Sequence, residues 1–314
     1  MKYRKLGNSD LEISVIGHGT WLMGNDFFGE VDEAEAIKAL QASIDVGVNF
    51  IDTAAGYGLD GESEKTVGKA IAGRRDKVVV ATKTGVLRPF GAYVKSLDPG
   101  VMRAELEISL QRLGTDYIDL YFIHWPDNNS SLETALETMV EFKKEGKIRA
   151  IGVSNFSIEE MQKAVDIADI SAVQPPLSML NRSSIENGIL PFCIKKGVGT
   201  TTYGSLGGGI LAGRAEELPI EGKELRGVFY GYYAEPMLSK CRELLTYLGK
   251  VADARGVSIA EVSINWALAQ EGVTTTLIGS ETPEKALQNA KAADWELSKD
   301  ELNGIEAEYK RIMG

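Results

Sequence analysis

Four side chains that can exchange protons lie at or just after the ends of apolar runs: Asp52, Tyr57, Lys83 and His124. Three of them end such a run themselves, and Tyr57 follows Asp52 by a few residues. In a barrel of parallel strands the C-terminal ends converge on one face, where active sites are normally built. We therefore expect an acid, a phenol, an amine and an imidazole to meet over one pocket.

This combination suits proton transfer to an oxygen atom. An ammonium group beside a phenol stabilises the tyrosinate, so we expect Lys83 to lower the pKa of Tyr57. Asp52 would keep Lys83 charged and oriented, Tyr57 would act as general acid, and His124 would orient a carbonyl oxygen or relay the proton. Carbonyl reduction also requires a hydride, which predicts a nicotinamide nearby.

The usual dinucleotide motif, G-x-G-x-x-G after the first strand, is absent. Gly17 and Gly19 match its first two glycines, but no glycine follows at the third position. A G-x-G-x-x-A match at 207–212 comes late in the chain and indicates a flexible glycine loop near phosphates. The segment 279–283, at the start of a predicted helix, is the better anion site, since its free N–H groups and the helix dipole suit a phosphate.

Apolar and amphipathic runs alternate about eight times, which predicts βαβ units that close into a barrel. The predicted strands are 15–19, 48–52, 78–83, 117–124, 148–153, 170–175, 198–203 and 274–278. The predicted helices are 32–46, 62–72, 99–113, 131–146, 157–168, 184–196, 237–255 and 283–292. Capping boxes indicate the starts of two extra helices, 258–270 and 298–313. An N-terminal β-hairpin is predicted from the segments 3–7 and 10–14. The fold class is therefore an α/β (β/α)8 TIM barrel, as one domain spanning residues 1–314.

Two connections, 84–98 and 204–236, are too long for plain loops between a strand and a helix. Both follow strand ends, so we expect them to overhang the pocket. Their aromatic residues could form apolar walls: Phe90, Tyr93, Phe229, Tyr230, Tyr232 and Tyr233.

Composition excludes several functional classes. The net charge is −11 and no block of Lys and Arg occurs, which argues against nucleic-acid binding. No apolar stretch reaches membrane-spanning length and no secretory signal begins the chain, so we expect a cytoplasmic protein without membrane contact. With only His18 and His124, a histidine-rich metal site is excluded, and no metal is predicted. We interpret His18 as a hydrogen-bonded histidine of the barrel rim.

The chain resembles the aldo-keto reductase superfamily along nearly its whole length. The resemblance lies in five stretches, 50–58, 81–83, 120–126, 152–156 and 203–213. It implies a barrel that binds NADP(H) or NAD(H) and interconverts an aldehyde or ketone with its alcohol. It also implies that Asp52, Tyr57, Lys83 and His124 are the catalytic residues, with Tyr57 as general acid.

The resemblance further assigns roles in coenzyme and substrate binding. Ser154, Asn155 and Gln174 would hold the nicotinamide carboxamide, and Tyr203 would stack on the ring. The pyrophosphate would lie along Leu206 and Gly207. The adenosine end would contact Ser280, Lys285, Gln288 and Asn289. Cofactor-edge and substrate-pocket positions would be Gly19, Thr20, Trp21 and Trp125, with Phe90 as a further pocket residue. NADP(H) is slightly favoured over NAD(H), although the carboxylate of Glu281 would repel a 2′-phosphate.

The leading hypothesis is an NAD(P)-dependent oxidoreductase acting on a small-molecule carbonyl or alcohol. A coenzyme-binding regulatory subunit of a larger complex, with little turnover, is the alternative, and the intact set of four residues argues against it. A metal-assisted hydrolase on the same barrel is poorly supported because histidines are too few. The residues indicate neither the substrate nor the oligomeric state.

Overall fold

The computed structural model describes residues 1–25, 27–127, 129–217 and 225–314. In chain order the strands are β1 (Tyr3–Lys5), β2 (Glu12–Ser14), β3 (Ile16–Gly19), β4 (Phe50–Asp52), β5 (Val79–Thr84), β6 (Val86–Leu87), β7 (Val94–Lys95), β8 (Ile118–Ile123), β9 (Ile148–Ser154), β10 (Ile170–Gln174), β11 (Gly199–Thr202) and β12 (Thr275–Gly279). Strands β3, β4, β5 and β8 to β12 are parallel and close into an eight-stranded barrel, as predicted.

Helices surround this barrel. They are α1 (Glu33–Asp45), α2 (Glu62–Ile71), α3 (Pro99–Leu113), α4 (Leu132–Lys144), α5 (Ile158–Ile167), α6 (Ser183–Glu186), α7 (Ile189–Lys196), α8 (Arg226–Phe229), α9 (Met237–Arg255), α10 (Ile259–Leu268), α11 (Pro283–Ala290) and α12 (Lys299–Met313). The capping boxes predicted for the two extra helices are present, at the starts of α10 and α12.

One helix prediction was wrong. The expected helix 184–196 is two helices, α6 and α7, because Gly188 between them adopts a left-handed conformation, with φ of +79°. A left-handed residue does not continue a right-handed helix, and glycine adopts it without steric cost.

The N-terminal hairpin is present, formed by β1 and β2, and contributes to the interior of the barrel. Leu6, Leu11 and Ile13 pack in one apolar cluster with barrel residues such as Phe50 and Phe122. The backbone approaches so closely here that a Cβ atom on Gly7 would lie 2.4 Å from the amide nitrogen of Gly199. The hairpin therefore packs against the barrel interior through contacts that its turn glycine makes possible.

Alternation along the strands determines which side chains reach the pocket. On β5, Val79 and Ala81 belong to the interior cluster and Val80 to the cluster between strands and helices. Because side chains alternate with a period of two, Lys83 continues the interior row and Thr84 faces the helices. The same alternation on β4 places Phe50 and Asp52 inside and Ile51 outside.

Within the described residues, none of the helices combines the length and apolar character that a membrane crossing requires. The cytoplasmic location and the single-domain assignment of residues 1–314 stay predictions.

Candidate active site

Lys83 lies at the centre of the predicted catalytic group. Its Nζ atom is 2.7 Å from Oδ1 of Asp52, 2.7 Å from the carbonyl oxygen of Thr53 and 3.3 Å from the hydroxyl of Tyr57. The lysine side chain is completely buried at the end of β5, below the pocket surface. The structure thus brings the amine, the acid and the phenol together, as their positions at strand ends predict.

Asp52 has a second partner on the opposite side. Its Oδ2 atom accepts a hydrogen bond of 2.7 Å from Nε2 of Gln174, at the end of β10. Burial raises the pKa of the Asp52 carboxyl and lowers the pKa of the Lys83 amine, but their direct contact opposes both shifts. The ion pair therefore favours the charged form of each group, against the effect of burial.

The expectation that the pKa of Tyr57 is lowered was wrong. The pKa of Tyr57 is raised well above its ordinary value, first by burial and then by the negative charge of Asp52. Removing a phenol from water disfavours the tyrosinate more than the neighbouring ammonium group favours it. Tyr57 is consequently a neutral phenol that retains its proton.

His124 completes the group. Its ring lies edge-on to Tyr57, with ring centroids 5.8 Å apart. The backbone N–H of His124 donates to the carbonyl of Thr84 at 2.9 Å, and its carbonyl accepts from Nδ2 of Asn155 at 3.0 Å. Burial, followed by the charges of Lys83 and Lys95, holds the pKa of His124 well below its ordinary value, so the imidazole is neutral.

A cavity of about 910 Å³ extends from these residues to the start of α11. Its lining includes Asp52, Tyr57 and His124, whereas Lys83 lies beneath it. Most of the residues predicted to bind coenzyme or substrate also line it: Gly19, Thr20, Trp21, Trp125, Ser154, Asn155, Gln174, Tyr203, Leu206, Lys285, Gln288 and Asn289.

Two predicted coenzyme residues lie just outside the lining. Gly207 is buried, and its neighbours Gly208 and Gly209 line the cavity in its place. Ser280 is also buried, and its hydroxyl accepts a hydrogen bond of 2.9 Å from Nδ2 of Asn289. Both therefore support residues that reach the cavity.

Phe90 was predicted to line the substrate pocket, and this prediction was wrong. The connection 84–98 contains a small antiparallel hairpin of β6 and β7, and Phe90 lies at its tip with its side chain fully exposed. The same hairpin instead directs Val86 and Tyr93 into the cavity lining. The sequence identified the segment but not its fold, which determines the side chains that point inward.

An aromatic wall, defined by Trp21, Phe27, Phe28 and Phe229, lines the cavity beside Tyr57. Trp21 contacts the other three rings at centroid distances of 4.4, 5.1 and 5.4 Å and stacks on Tyr57 at 6.1 Å. Sequence reasoning missed Phe27 and Phe28, although two adjacent aromatics in the loop after β3 were an available signal.

The predicted connection 204–236 includes residues 218–224, which lie outside the described residues. Of its four aromatic residues, Phe229 and Tyr230 line the cavity, whereas Tyr232 and Tyr233 pack against the apolar cluster formed with α9 and α10. The ring of Tyr230 covers the glycine loop so closely that a Cβ atom on Gly208 would lie 2.6 Å from it. Only a glycine fits under this ring.

The far end of the cavity carries paired charges. Lys285, in the first turn of α11, forms an ion pair with Glu281, and Arg214 forms one with Glu217. All four side chains contribute to the lining. Each of these two cations thus has a carboxylate partner beside it.

His18 is a buried structural histidine, as interpreted from the sequence. Its Nδ1 atom is 2.8 Å from the hydroxyl of Ser43 and its Nε2 atom 3.1 Å from the carbonyl of Ser280. Because a carbonyl only accepts, Nε2 carries the proton and Ser43 donates to Nδ1. Burial lowers the pKa of His18 to about 4.

The described residues contain no group of three or more His, Cys, Asp and Glu side chains arranged to hold a metal ion. Some of the polar side chains that line the cavity near Tyr57 form hydrogen-bonded pairs. For example, the hydroxyl of Tyr203 donates to Oδ1 of Asn155 at 2.9 Å. Among the described residues, this arrangement can position a proton, but it offers no set of ligands for a metal ion.

Comparisons with known proteins agree with this geometry. Residues 15–310 match the model of the Aldo/keto reductase family. The chain is 37% identical over 309 residues to the aldo-keto reductase YhdN of Bacillus subtilis (strain 168), covering 97% of this chain and 92% of the relative. It is 32% identical over 314 residues to the NADH-specific methylglyoxal reductase of Escherichia coli (strain K12), covering 95% of each. The structure of the glycerol dehydrogenase AKR11B4 from Gluconobacter oxydans superimposes with a TM-score of 0.89 at 31% identity, covering 98% of this chain and 95% of that one.

Proposed function

Because the chain belongs to the aldo/keto reductase family, it is an NAD(P)(H)-dependent oxidoreductase of carbonyls and alcohols, and we propose that Tyr57 is its general acid and base. One observation carries the proposal. The Nζ atom of Lys83 contacts both the Tyr57 hydroxyl, at 3.3 Å, and the Asp52 carboxylate, at 2.7 Å. A proton donor, the cation that stabilises its conjugate base and the anion that holds this cation therefore form one connected unit.

In the reducing direction Tyr57 donates its proton to the oxygen of the carbonyl as negative charge develops there. The raised pKa ensures that the phenol is protonated at neutral pH. The ammonium group of Lys83 stabilises the tyrosinate that remains, and Asp52 prevents the buried lysine from losing its charge. The neutral imidazole of His124 offers an N–H to the same oxygen and orients it. In the oxidising direction the proton returns by the same route.

The residues of the cavity fit an extended dinucleotide. The coenzyme supplies the hydride when it is bound. Ser154, Asn155 and Gln174 would hold the carboxamide, and Tyr203 would face the ring. The backbone at Gly208 and Gly209, with φ of +69° and +108°, offers a surface without side chains, which suits a pyrophosphate. At the far end, Lys285, Gln288 and Asn289 would contact the adenosine.

We propose NAD(H) as the preferred coenzyme, in place of the slight preference for NADP(H) that the sequence indicated. A 2′-phosphate carries negative charge and is best bound by cations that have no carboxylate partner. Lys285 and Arg214, at the end of the cavity where this phosphate would lie, are paired with Glu281 and Glu217. The similarity to a relative described as NADH-specific supports the same preference.

The substrate that best fits the site has an apolar, flat group attached to its carbonyl. Next to Tyr57 the cavity is bordered by the aromatic wall, by Trp125 and by Val86. Flat apolar groups stack favourably on such rings, whereas a polyol would leave hydroxyl groups facing apolar carbon.

The decisive experiment replaces Tyr57 by Phe. Loss of the hydroxyl should reduce kcat by roughly 10²- to 10⁴-fold, the usual contribution of general acid catalysis. The dissociation constant of NADH, measured by fluorescence titration, should stay within about twofold, because the phenyl ring and the ion pair below it remain. Retained turnover in the Tyr57→Phe variant would refute the assignment of Tyr57. A wild-type protein that binds NADH tightly but oxidises it with none of a panel of carbonyls would favour the regulatory alternative.

A further inference from the structure

A buried carboxyl group lies behind the catalytic strand, outside the cavity. Glu105, on α3, is 5% exposed. Its Oε2 atom accepts two hydrogen bonds, from the hydroxyl of Thr84 at 2.7 Å and from the backbone N–H of Gly85 at 2.8 Å. The carboxyl thus holds both the last residue of β5 and the first residue that follows it.

These two residues connect the catalytic group to the cavity wall. Thr84 follows Lys83 directly, and its carbonyl accepts the backbone N–H of His124 at 2.9 Å. Gly85 has a φ of +90°, a conformation that favours glycine, and its carbonyl accepts the N–H of Ser96 at 3.3 Å. The chain therefore leaves the barrel at Gly85 through a sharp turn, and the hairpin of β6 and β7 begins there.

This hairpin forms one side of the cavity mouth. Val86 and Tyr93 line the cavity, and Val86 packs so closely on the turn before Tyr57 that a Cβ atom on Gly56 would lie 3.2 Å from it. Lys95 places its Nζ atom 4.5 Å from the centre of the Trp125 ring. A shift of the hairpin at Gly85 would move all of these groups relative to Tyr57.

We propose that Glu105 is a positioning residue, which determines where the hairpin leaves the barrel and so the shape of the carbonyl pocket. The proposal rests on the proposed function, because it assigns Val86 and Tyr93 to the carbonyl side of the cavity. The two hydrogen bonds converge on one oxygen and fix the direction of the chain at its turn. Without the carboxylate, the buried N–H of Gly85 loses its acceptor on α3. Because an unpaired buried N–H is unfavourable, the turn should shift until this group bonds another acceptor.

The chain offers a matched control in Glu64, on α2, which is likewise a buried glutamate. Its Oε1 atom accepts a hydrogen bond of 2.6 Å from the hydroxyl of Thr82, and its Oε2 atom accepts one of 3.2 Å from Arg112. Thr82 lies on the same strand and faces the same side as Thr84, but it does not border the turn. A general loss of stability would follow from either substitution, whereas a change in the pocket should follow only from Glu105.

The test compares Glu105→Ala, Glu105→Gln and Glu64→Ala. In Glu105→Ala we expect KM for an aromatic aldehyde to rise about tenfold, because a displaced hairpin of β6 and β7 changes the shape of the pocket. The dissociation constant of NADH and kcat should each stay within about threefold. Glu105→Gln should restore KM, because the amide oxygen can accept the same two hydrogen bonds. Glu64→Ala should lower the melting temperature and leave KM unchanged. An unchanged KM in Glu105→Ala, or an equal rise in both alanine variants, would overturn the proposal.

Hydrogen exchange gives a readout that does not depend on turnover, so it separates this proposal from the proposed function. Amide protons of residues 85–96 should exchange at least about tenfold faster in Glu105→Ala than in the wild type, and at the wild-type rate in Glu64→Ala. If Glu105→Ala does not fold, the two single variants Thr84→Val and Thr82→Val provide the same comparison. Each removes one hydroxyl group that donates to a buried glutamate, Glu105 or Glu64. Equal exchange of the hairpin in all variants would contradict the role of Glu105 even in an inactive protein.

Discussion

Lys83 and Asp52 form an ion pair that is withdrawn from water: Nζ lies 2.7 Å from Oδ1, and the side chains are 0% and 3% exposed. Two charges in such a place lose their hydration, and only their mutual contact and further hydrogen bonds compensate. The carbonyl of Thr53 and the amide of Gln174 provide those hydrogen bonds. Burying the pair therefore costs free energy of hydration, and each charge is stabilised only while the other is present.

Removing one member should destabilise the protein more than removing both. Lys83→Met leaves the carboxylate of Asp52 buried and unpaired, so the free energy of unfolding should fall by about 3–5 kcal/mol. The double variant Lys83→Met with Asp52→Asn should regain most of this loss. Urea unfolding monitored by circular dichroism measures both. Lys38→Met, which breaks the exposed pair with Glu35, is the control and should leave the free energy unchanged. Additive effects of the two buried substitutions would contradict the expected coupling.

The stability of the protein should decrease as the pH falls from about 6.5 to 4. Burial lowers the pKa of His18 in the folded state to about 4, whereas 6.5 is the ordinary value. Between these values the unfolded state binds more protons, so protonation favours unfolding, by up to about 3 kcal/mol for this group. The lowered pKa of His124 acts in the same direction. Urea unfolding at pH 7 and pH 4.5 should give a smaller difference in His18→Gln. An identical pH dependence in that variant would exclude His18 as a contributor.

Two phenylalanines should differ in their effect on substrate binding. Phe229 contacts Trp21 and Phe27 in the aromatic wall, so Phe229→Ala should raise KM for benzaldehyde up to about tenfold. KM for glyceraldehyde, which has no flat apolar group, should change little. Phe90 is fully exposed outside the cavity, and Phe90→Ala should match the wild type with both aldehydes. A larger effect of Phe90 than of Phe229 would show that the aromatic wall does not contact the substrate.

Coenzyme preference should respond to the carboxylate beside Lys285. Glu281→Gln frees this lysine for a 2′-phosphate, so the ratio of kcat/KM for NADPH to that for NADH should rise about tenfold. Glu284→Gln removes an exposed carboxylate in the first turn of α11 that does not line the cavity, and it should leave the ratio unchanged. If the wild type already prefers NADPH, the proposed role of Glu281 is wrong.

The barrel itself could be predicted because its signals are local. Strand and helix periodicity, together with the caps of α10 and α12, appear within short windows of sequence. The convergence of Asp52, Lys83 and His124 also followed, since parallel strands align their ends whatever their order in the chain. The division of one predicted helix at Gly188 was missed, because an isolated glycine leaves its backbone conformation open.

The sequence by itself determined which residue types stand at the strand ends, and hence the chemistry available to the site. Only the tertiary structure decided the outward position of Phe90, the assembly of Trp21, Phe27, Phe28 and Phe229 into one wall, the raised pKa of Tyr57 and the contact of Glu105 with Gly85. Each of these depends on contacts between distant segments or on the exclusion of water. Such properties arise from the packing of the whole chain, and no short pattern of residues encodes them.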